Sequence, residues 1–305
     1  MDSRVAFRAF GVDVYWYGVL IAGGLLAAAV WMSRREKRLG LEKDTAIDLL
    51  LWTLPAAIIG ARVYYVAFSW DMFRGNLGAI LDIRSGGLAV FGGIIAGFLC
   101  IFIYSRVKKV PLYALLDLAA PSLALGQAVG RWGNFANGEA YGRAVAREWM
   151  RFFPFAVHIQ EDGLWHYATF FYESAWCLLT AVSLGVAEKK GIIRRRGDVF
   201  WWYLALYGAE RAFVEGLRTD SLYLFGARVS QLVSAGILCA ACGVFAARAI
   251  RRKGRRAAAY LAGCACALLS PWCGGGIWTA GLLALALLCA MAAYRHSGQK
   301  GGEAA

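Results

Sequence analysis

Long apolar runs separated by short charged segments set the pattern of this chain. Runs over 14–33, 46–68, 87–105, 111–130, 169–187, 199–216 and 229–247 each approach the roughly 20 apolar residues that a helix needs to cross a bilayer core. They lack the period-two alternation of barrel strands, and in lipid only helices or closed barrels satisfy their own backbone. The pattern predicts an all-α polytopic membrane protein built as a seven-span helical bundle with outward-facing polar loops. A further run from Ala257 to Tyr294, interrupted by Ser270, Pro271 and Gly274–Gly276, predicts an added C-terminal hydrophobic hairpin. The expected division is a membrane-embedded region over 1–247, capped by the outer loop 131–168. A basic loop, the accessory hairpin and a frayed tail at Gly301–Ala305 then fill 248–305. No internal repeat is evident.

Composition agrees, with 60% hydrophobic residues among 305. The net charge of +13 would suit nucleic acid if it were clustered on a soluble face, but the Lys and Arg fall between spans, so a lipid bilayer and not nucleic acid is the expected partner. They follow alternate spans: Arg34, Arg35, Lys37, Arg38 and Lys43; Arg106, Lys108 and Lys109; Lys189, Lys190 and Arg194–Arg196; then Arg248 through Arg256. The positive-inside rule makes those loops cytoplasmic and sets the N-terminus and the segments 69–86, 131–168 and 217–228 outside. No cationic n-region precedes the first run, so no cleavable signal is expected. The eight cysteines lie in or beside apolar runs, which suits packing better than a disulfide framework. The pair Cys239 and Cys242 has no neighbouring His or second pair, so no metal or redox site is expected there.

Ionisable residues inside or at the edges of apolar runs are costly there and so point to function. Arg62, Arg131, Glu173, Glu210, Arg211, Glu215 and Arg218 are such residues, and the predicted topology gathers them toward the outer leaflet. On a helix, Arg211, Glu215 and Arg218 share one stripe at i, i+4 and i+7. A salt bridge that only ties helices together is the structural alternative for any one pair. Four arginines against two or three carboxylates leave a cationic surplus, and the planar guanidinium fork suits phosphate. The other concentrated signal is GRWGNFANGEAYG at 130–142, where four glycines, Asn134, Asn137 and Glu139 predict a tight hydrogen-bonding loop held at headgroup level by Trp132, Phe135 and Tyr141. The cluster GGLAVFGGIIAG at 86–97 permits close helix approach through Gly93 and Gly97.

These residues give the chain a resemblance to the bacterial prolipoprotein diacylglyceryl transferase family. The segment 130–142 is similar to that family's G-R-x-G-N-F-x-N-x-E-x-x-G signature at all eight fixed positions. VYWYG at 14–18, GARVYY at 60–65, GGLAVFGG at 86–93, HYATFFYES at 166–174 and ERAFVE at 210–215 follow in the same order. The resemblance, over roughly 10–247, implies a multi-pass inner-membrane enzyme. It would take phosphatidylglycerol from the outer leaflet and pass the diacylglyceryl group to the lipobox cysteine of a preprolipoprotein signal peptide, forming a thioether and releasing glycerol phosphate. Matched by position, Arg131, Arg211, Asn134, Gly142 and Tyr17 correspond to essential residues, and Glu139 and Glu215 to further important carboxylates; no cofactor or metal is implied. Asn137 joins the candidate substrate contacts. Arg62 is read as holding a helix junction or touching lipid phosphate, and Arg218 as flanking the entry.

Two departures bear on the chemistry. Phe91 stands where many members have His and others Tyr, so either another group takes the thiol proton or activity is lost. Tyr167 replaces a frequent proline. Glu215, Glu139, Tyr17 and His166 remain open as proton acceptors, His166 being the one of three histidines that follows a matching motif. A lipid-binding paralogue without chemistry, and a transporter of anions, are the competing readings; the transporter would need polar groups facing both sides of the membrane.

Overall fold

The computed structural model describes residues 5–9, 11–83, 86–160, 162–218, 223–224, 227–251, 257–272 and 277–299. In chain order the elements are a hairpin of β1 (Val5–Ala9) and β2 (Val12–Tyr15), α1 (Trp16–Glu36), α2 (Thr45–Phe68), α3 (Trp70–Phe73), α4 (Val90–Val107) and α5 (Leu112–Asn137). A hairpin of β3 (Ala156–Ile159) and β4 (Leu164–Tyr167) follows, then α6 (Thr169–Lys189), α7 (Asp198–Glu215), the paired β5 (Tyr223–Leu224) and β6 (Ala227–Arg228), α8 (Val229–Arg251), α9 (Ala257–Leu269) and α10 (Ile277–Gln299). Among the described residues the strands form only two-stranded hairpins, and the all-α class expected from the apolar runs holds.

Six described segments are long and apolar enough to cross a membrane: Trp16–Leu39, α2, α4, α5, α6 and Val229–Ile250 of α8. The expected span at 199–216 is a helix, α7, of 18 residues, but Asp198, Glu210, Arg211 and Glu215 set its composition apart from those six. The C-terminal hairpin breaks where expected: α9 ends at Leu269 and a single tight turn, Ser270–Trp272, follows. Gly274–Gly276, the basic residues within 252–256, and the tail Gly301–Ala305 lie outside the described residues.

The chain divides into two compact units, Ala29–Ala119 and the combination of Met1–Ala28 with Ala120–Ala305. In the first, α2 lies along α4, and glycine brings their backbones together: a Cβ at Gly60 would be 2.7 Å from the Gly92 carbonyl oxygen. The expected contact at Gly93 and Gly97 is looser, with added Cβ atoms 3.3 Å from Ala57 O and 3.6 Å from Thr53 Cγ2. Toward the end of α2, buried Arg62 donates Nε to Ile80 O (2.8 Å), Nη1 to Gly86 O and Gly87 O (2.7 and 2.8 Å), and Nη2 to Ala79 O and Asp82 O (2.7 and 2.8 Å). Its guanidinium also lies 5.3 Å from the Phe73 ring centroid. At the start of α2, the Glu36 carboxylate accepts from the N–H groups of Asp44 (3.0 Å) and Ala46 (3.1 Å), answering donors that a helix start leaves open. Arg35 gives Nη2 to Asp117 O at 3.0 Å, a carbonyl whose helical donor would be residue 121, which is proline and has no N–H.

In the second unit α7 packs against α6, α8 and α10, while α9 packs on α8 and α10. Gly208 admits α8 closely, since a Cβ there would be 2.7 Å from Ser234 O. Asp198 at the start of α7 is 2% exposed. It is met by the Arg248 guanidinium from α8 and by the Tyr294 hydroxyl from α10 at 2.8 Å. The hairpin is thus tied to the helix that carries three of the candidate charged residues.

Candidate active site

The site in the second unit starts from an extension of α5. The sequence pattern ends the fourth span at 130, whereas α5 runs on through Asn137, so the first half of GRWGNFANGEAYG is helical and the loop starts later. Gly138, with φ +69°, ends the helix in the left-handed conformation, and its N–H returns to Phe135 O at 3.0 Å. Helical spacing then puts Arg131 and Asn134 on one face. Tyr17 is seated on the same stretch: a Cβ at Gly133 would be 2.7 Å from Tyr17 Cδ2, so only glycine leaves room for the ring.

α6 is registered on α5 by polar contacts. Trp132 Nε1 donates to Ser174 Oγ (3.0 Å), and Ser174 Oγ donates to Ala128 O (2.7 Å). Phe135 stacks on Phe170 with centroids 4.8 Å apart. This register presents Glu173, 1% exposed, to both arginines. Glu173 Oε2 lies 2.5 Å from Arg131 Nη2 and Oε1 accepts from Arg211 Nη1 at 3.1 Å. The Arg131 contact is an ion pair without hydrogen-bond alignment. Arg211 also donates Nη2 to Glu215 Oε2 at 3.4 Å, one turn along α7. Arg228 of β6 donates to Glu215 O, and Gln231 Nε2 of α8 donates to Ala212 O at 3.0 Å, fixing the end of α7.

The expected i, i+4, i+7 stripe survives only in its first step. α7 stops at Glu215, the chain turns at Gly216, and Arg218, partly exposed, follows with its N–H on Glu215 O at 3.3 Å. Nor does a cationic surplus arise at Arg62, Arg131 or Arg211. Carbonyls take the donors of Arg62, and Arg131 and Arg211 each face a carboxylate. Glu173 is legible in the sequence as a charge in an apolar run, but nothing there singles it out as the group joining two arginines.

The second half of the signature closes the site from above α7. Glu139 Oε1 accepts from Asn134 Nδ2 (3.0 Å) and Asn137 Nδ2 (3.3 Å), which folds the loop back over the end of α5. Gly142 N–H bonds to Tyr167 O (2.9 Å) and Arg143 N–H to Leu217 O (2.8 Å), stitching the loop to β4 and to the turn after α7. His166, 7% exposed, meets Gly142 O with Nδ1 and Asp162 Oδ2 with Nε2, both at 2.7 Å, so one ring nitrogen serves the signature loop and the other the turn between β3 and β4. The Asp162 carboxyl is held below the usual carboxylate range by the Leu164 N–H and by His166. The structure therefore brings Tyr17, Arg131, Asn134, Asn137, Glu139, Gly142, His166, Arg211 and Glu215 into one unit and leaves Arg62 in the other. Among the described residues no three His, Cys, Asp or Glu side chains converge as a metal's ligands would.

Chemically, the arrangement is a pair of guanidinium groups at the end of apolar helices, oriented by the shared Glu173 and, for Arg211, by Glu215, and roofed by a hydrogen-bonded loop. The sequence profile of a family described as prolipoprotein diacylglyceryl transferase matches residues 4–247. The phosphatidylglycerol–prolipoprotein diacylglyceryl transferase of Enterococcus faecalis is 46% identical over 245 residues, 78% of this chain and 88% of that protein. The protein of the same name from Finegoldia magna is 45% identical over 238 residues, covering 78% and 92%, and that of Bacillus cytotoxicus is 42% identical over 245 residues, covering 77% and 88%. With a profile match over most of its length and these relatives covered nearly end to end, the chain belongs to the prolipoprotein diacylglyceryl transferase family.

Proposed function

We propose that this chain moves the diacylglyceryl group of phosphatidylglycerol onto the lipobox cysteine of preprolipoproteins in the bacterial cytoplasmic membrane. The observation that carries the reading is Glu173 joining Arg131 and Arg211 where α5, α6 and α7 meet. The thiol sulfur attacks the glyceryl carbon and the C–O bond breaks, its electron pair leaving on glycerol phosphate. Negative charge grows on that leaving group, and fixed donors aimed at such charge usually lower a barrier more than any other single device an enzyme has. Arg131 and Arg211 supply them, while Glu173 and Glu215 hold the forks in register before substrate arrives. Tyr17, Asn134, Asn137, Glu139, Gly142 and His166 support the wall around the phosphate, and Arg218 borders it. Arg62 is read as the organiser of the 79–87 backbone.

The test is detergent-purified protein with phosphatidylglycerol and a synthetic lipobox peptide. Thioether product is expected by mass, and none with a Cys→Ser peptide or with phosphatidylethanolamine as the lipid. No product where the Enterococcus relative makes it would overturn the reading.

The basic loops support an N-terminus outside and a site open to the outer leaflet. A cysteine in place of exposed His158 should then react with a membrane-impermeant maleimide on intact cells, and Arg195→Cys should not. The reverse labelling would invert the topology.

A further inference from the structure

Glu210 is 5% exposed, and neither carboxylate oxygen has a hydrogen-bond partner among the described residues. It lies within electrostatic reach of Arg131 on α5, of Glu173 and Cys177 on α6, and of Tyr203, Tyr207 and Arg211 on its own helix. Every other carboxylate of the site is committed. Glu173 meets both arginines, Glu215 accepts from Arg211, and Glu139 accepts from Asn134 and Asn137. Protonating any of these would discharge a carboxylate that answers an arginine or an amide and so weaken a contact that shapes the site. At Glu210 no such bond stands in the way. Buried polar groups are normally bonded, and the exceptions call for a reason. Displacement at the glyceryl carbon supplies one, since a proton must leave the thiol and end on the departing phosphate, and Phe91 brings no exchangeable proton.

We propose that Glu210 is the proton carrier of the transfer reaction. This rests on the transferase reading above. As the C–O bond breaks, the Glu210 carboxyl gives its proton to a phosphate oxygen of the leaving glycerol phosphate. The thiol S–H bond breaks as sulfur bonds to carbon, and that proton restores the Glu210 carboxyl. Sulfur, carbon, oxygen and one proton balance, with no other reactant.

Glu210→Gln tests this, because the amide keeps the shape and polarity but cannot exchange a proton. Expected is a fall in kcat of about 10²-fold, within the range of general acid–base contributions, with KM for phosphatidylglycerol unchanged within about twofold and the pH–rate profile losing one limb. Glu210→Asp should recover at least about a tenfold part of that loss. Equal kcat and pH profile for Glu210→Gln and the wild type would overturn the proposal, as would a folded Glu210→Asp no faster than Glu210→Gln. Should the glutamine variant fail to fold, the same kinetics on Glu210→Asp decide, and an unaltered pH profile there overturns the proposal. Absence of product from the wild type would instead remove the transferase reading itself.

Discussion

Replacing Arg211 with alanine is expected to lower the transfer rate by about 10³-fold, the loss typical of removing a preorganised donor from a developing anion. The side chain bonds Glu173 at 3.1 Å and Glu215 at 3.4 Å, so its removal also leaves two buried carboxylates short of a partner. Breaking a buried pair from one side costs about 3–5 kcal/mol, and the yield of folded protein should fall with the rate. Arg211→Lys separates the two effects. It keeps the charge, but a point ammonium cannot span both carboxylates as the planar fork does. Folded yield near wild type with a rate loss of about 10–10²-fold is expected, read by thioether formation and by thermal unfolding in detergent. A folded Arg211→Ala protein with the wild-type rate would remove the guanidinium pair from the mechanism.

Gly142→Ala should be the most damaging single methyl in the loop. An added Cβ would lie 2.9 Å from Tyr167 Cβ and 3.0 Å from both Leu217 O and Thr169 Cγ2. Two of these belong to backbone-paired segments that cannot turn aside, because Gly142 N–H and Arg143 N–H already fix the seam at 2.9 and 2.8 Å. Overpacking of this kind costs about 1–3 kcal/mol. Leu217 lies two residues past Glu215, so the displacement reaches the charged end of α7, and misplacement of about 1 Å can cost roughly 10² in rate. Gly138→Ala is the control: φ is +69° there, but no atom lies within 4 Å of the added carbon. It should lose about 1 kcal/mol to strain alone and keep most of its activity. Equal rates and melting temperatures for Gly142→Ala and wild type would show that the seam yields.

Much of the fold is legible in the chain because a membrane restricts the choices. Apolar runs near helix-spanning length become helices at the expected places, and Ser270 with Pro271 ends α9. Of the charges in apolar runs, Arg131, Glu173, Arg211 and Glu215 meet one another in the structure, since lipid makes unanswered ones expensive. Which charge answers which is not legible, because partners such as Glu173 and Arg211 are 38 residues apart and meet only through packing. The same holds for Arg62, whose five carbonyl partners come from a loop whose shape no local pattern encodes. The pattern ends α5 too early because Gly130 and Gly133 resemble loop residues, yet Gly133 serves Tyr17 from within a helix. The stripe through Arg218 requires a helix that Gly216 in fact ends.

The pairing at Asp198 makes the energetic unit longer than the stretch the family profile matches. The family's match closes at residue 247, one position before Arg248 and well before Tyr294, the two side chains that meet a carboxylate left only 2% exposed. A chain trimmed to that match would leave the carboxylate at the start of α7 without either of them. During synthesis, α7 likewise waits 96 residues for its last hydroxyl partner. The appended hairpin is thereby a late-arriving fastening for the helix that presents Arg211.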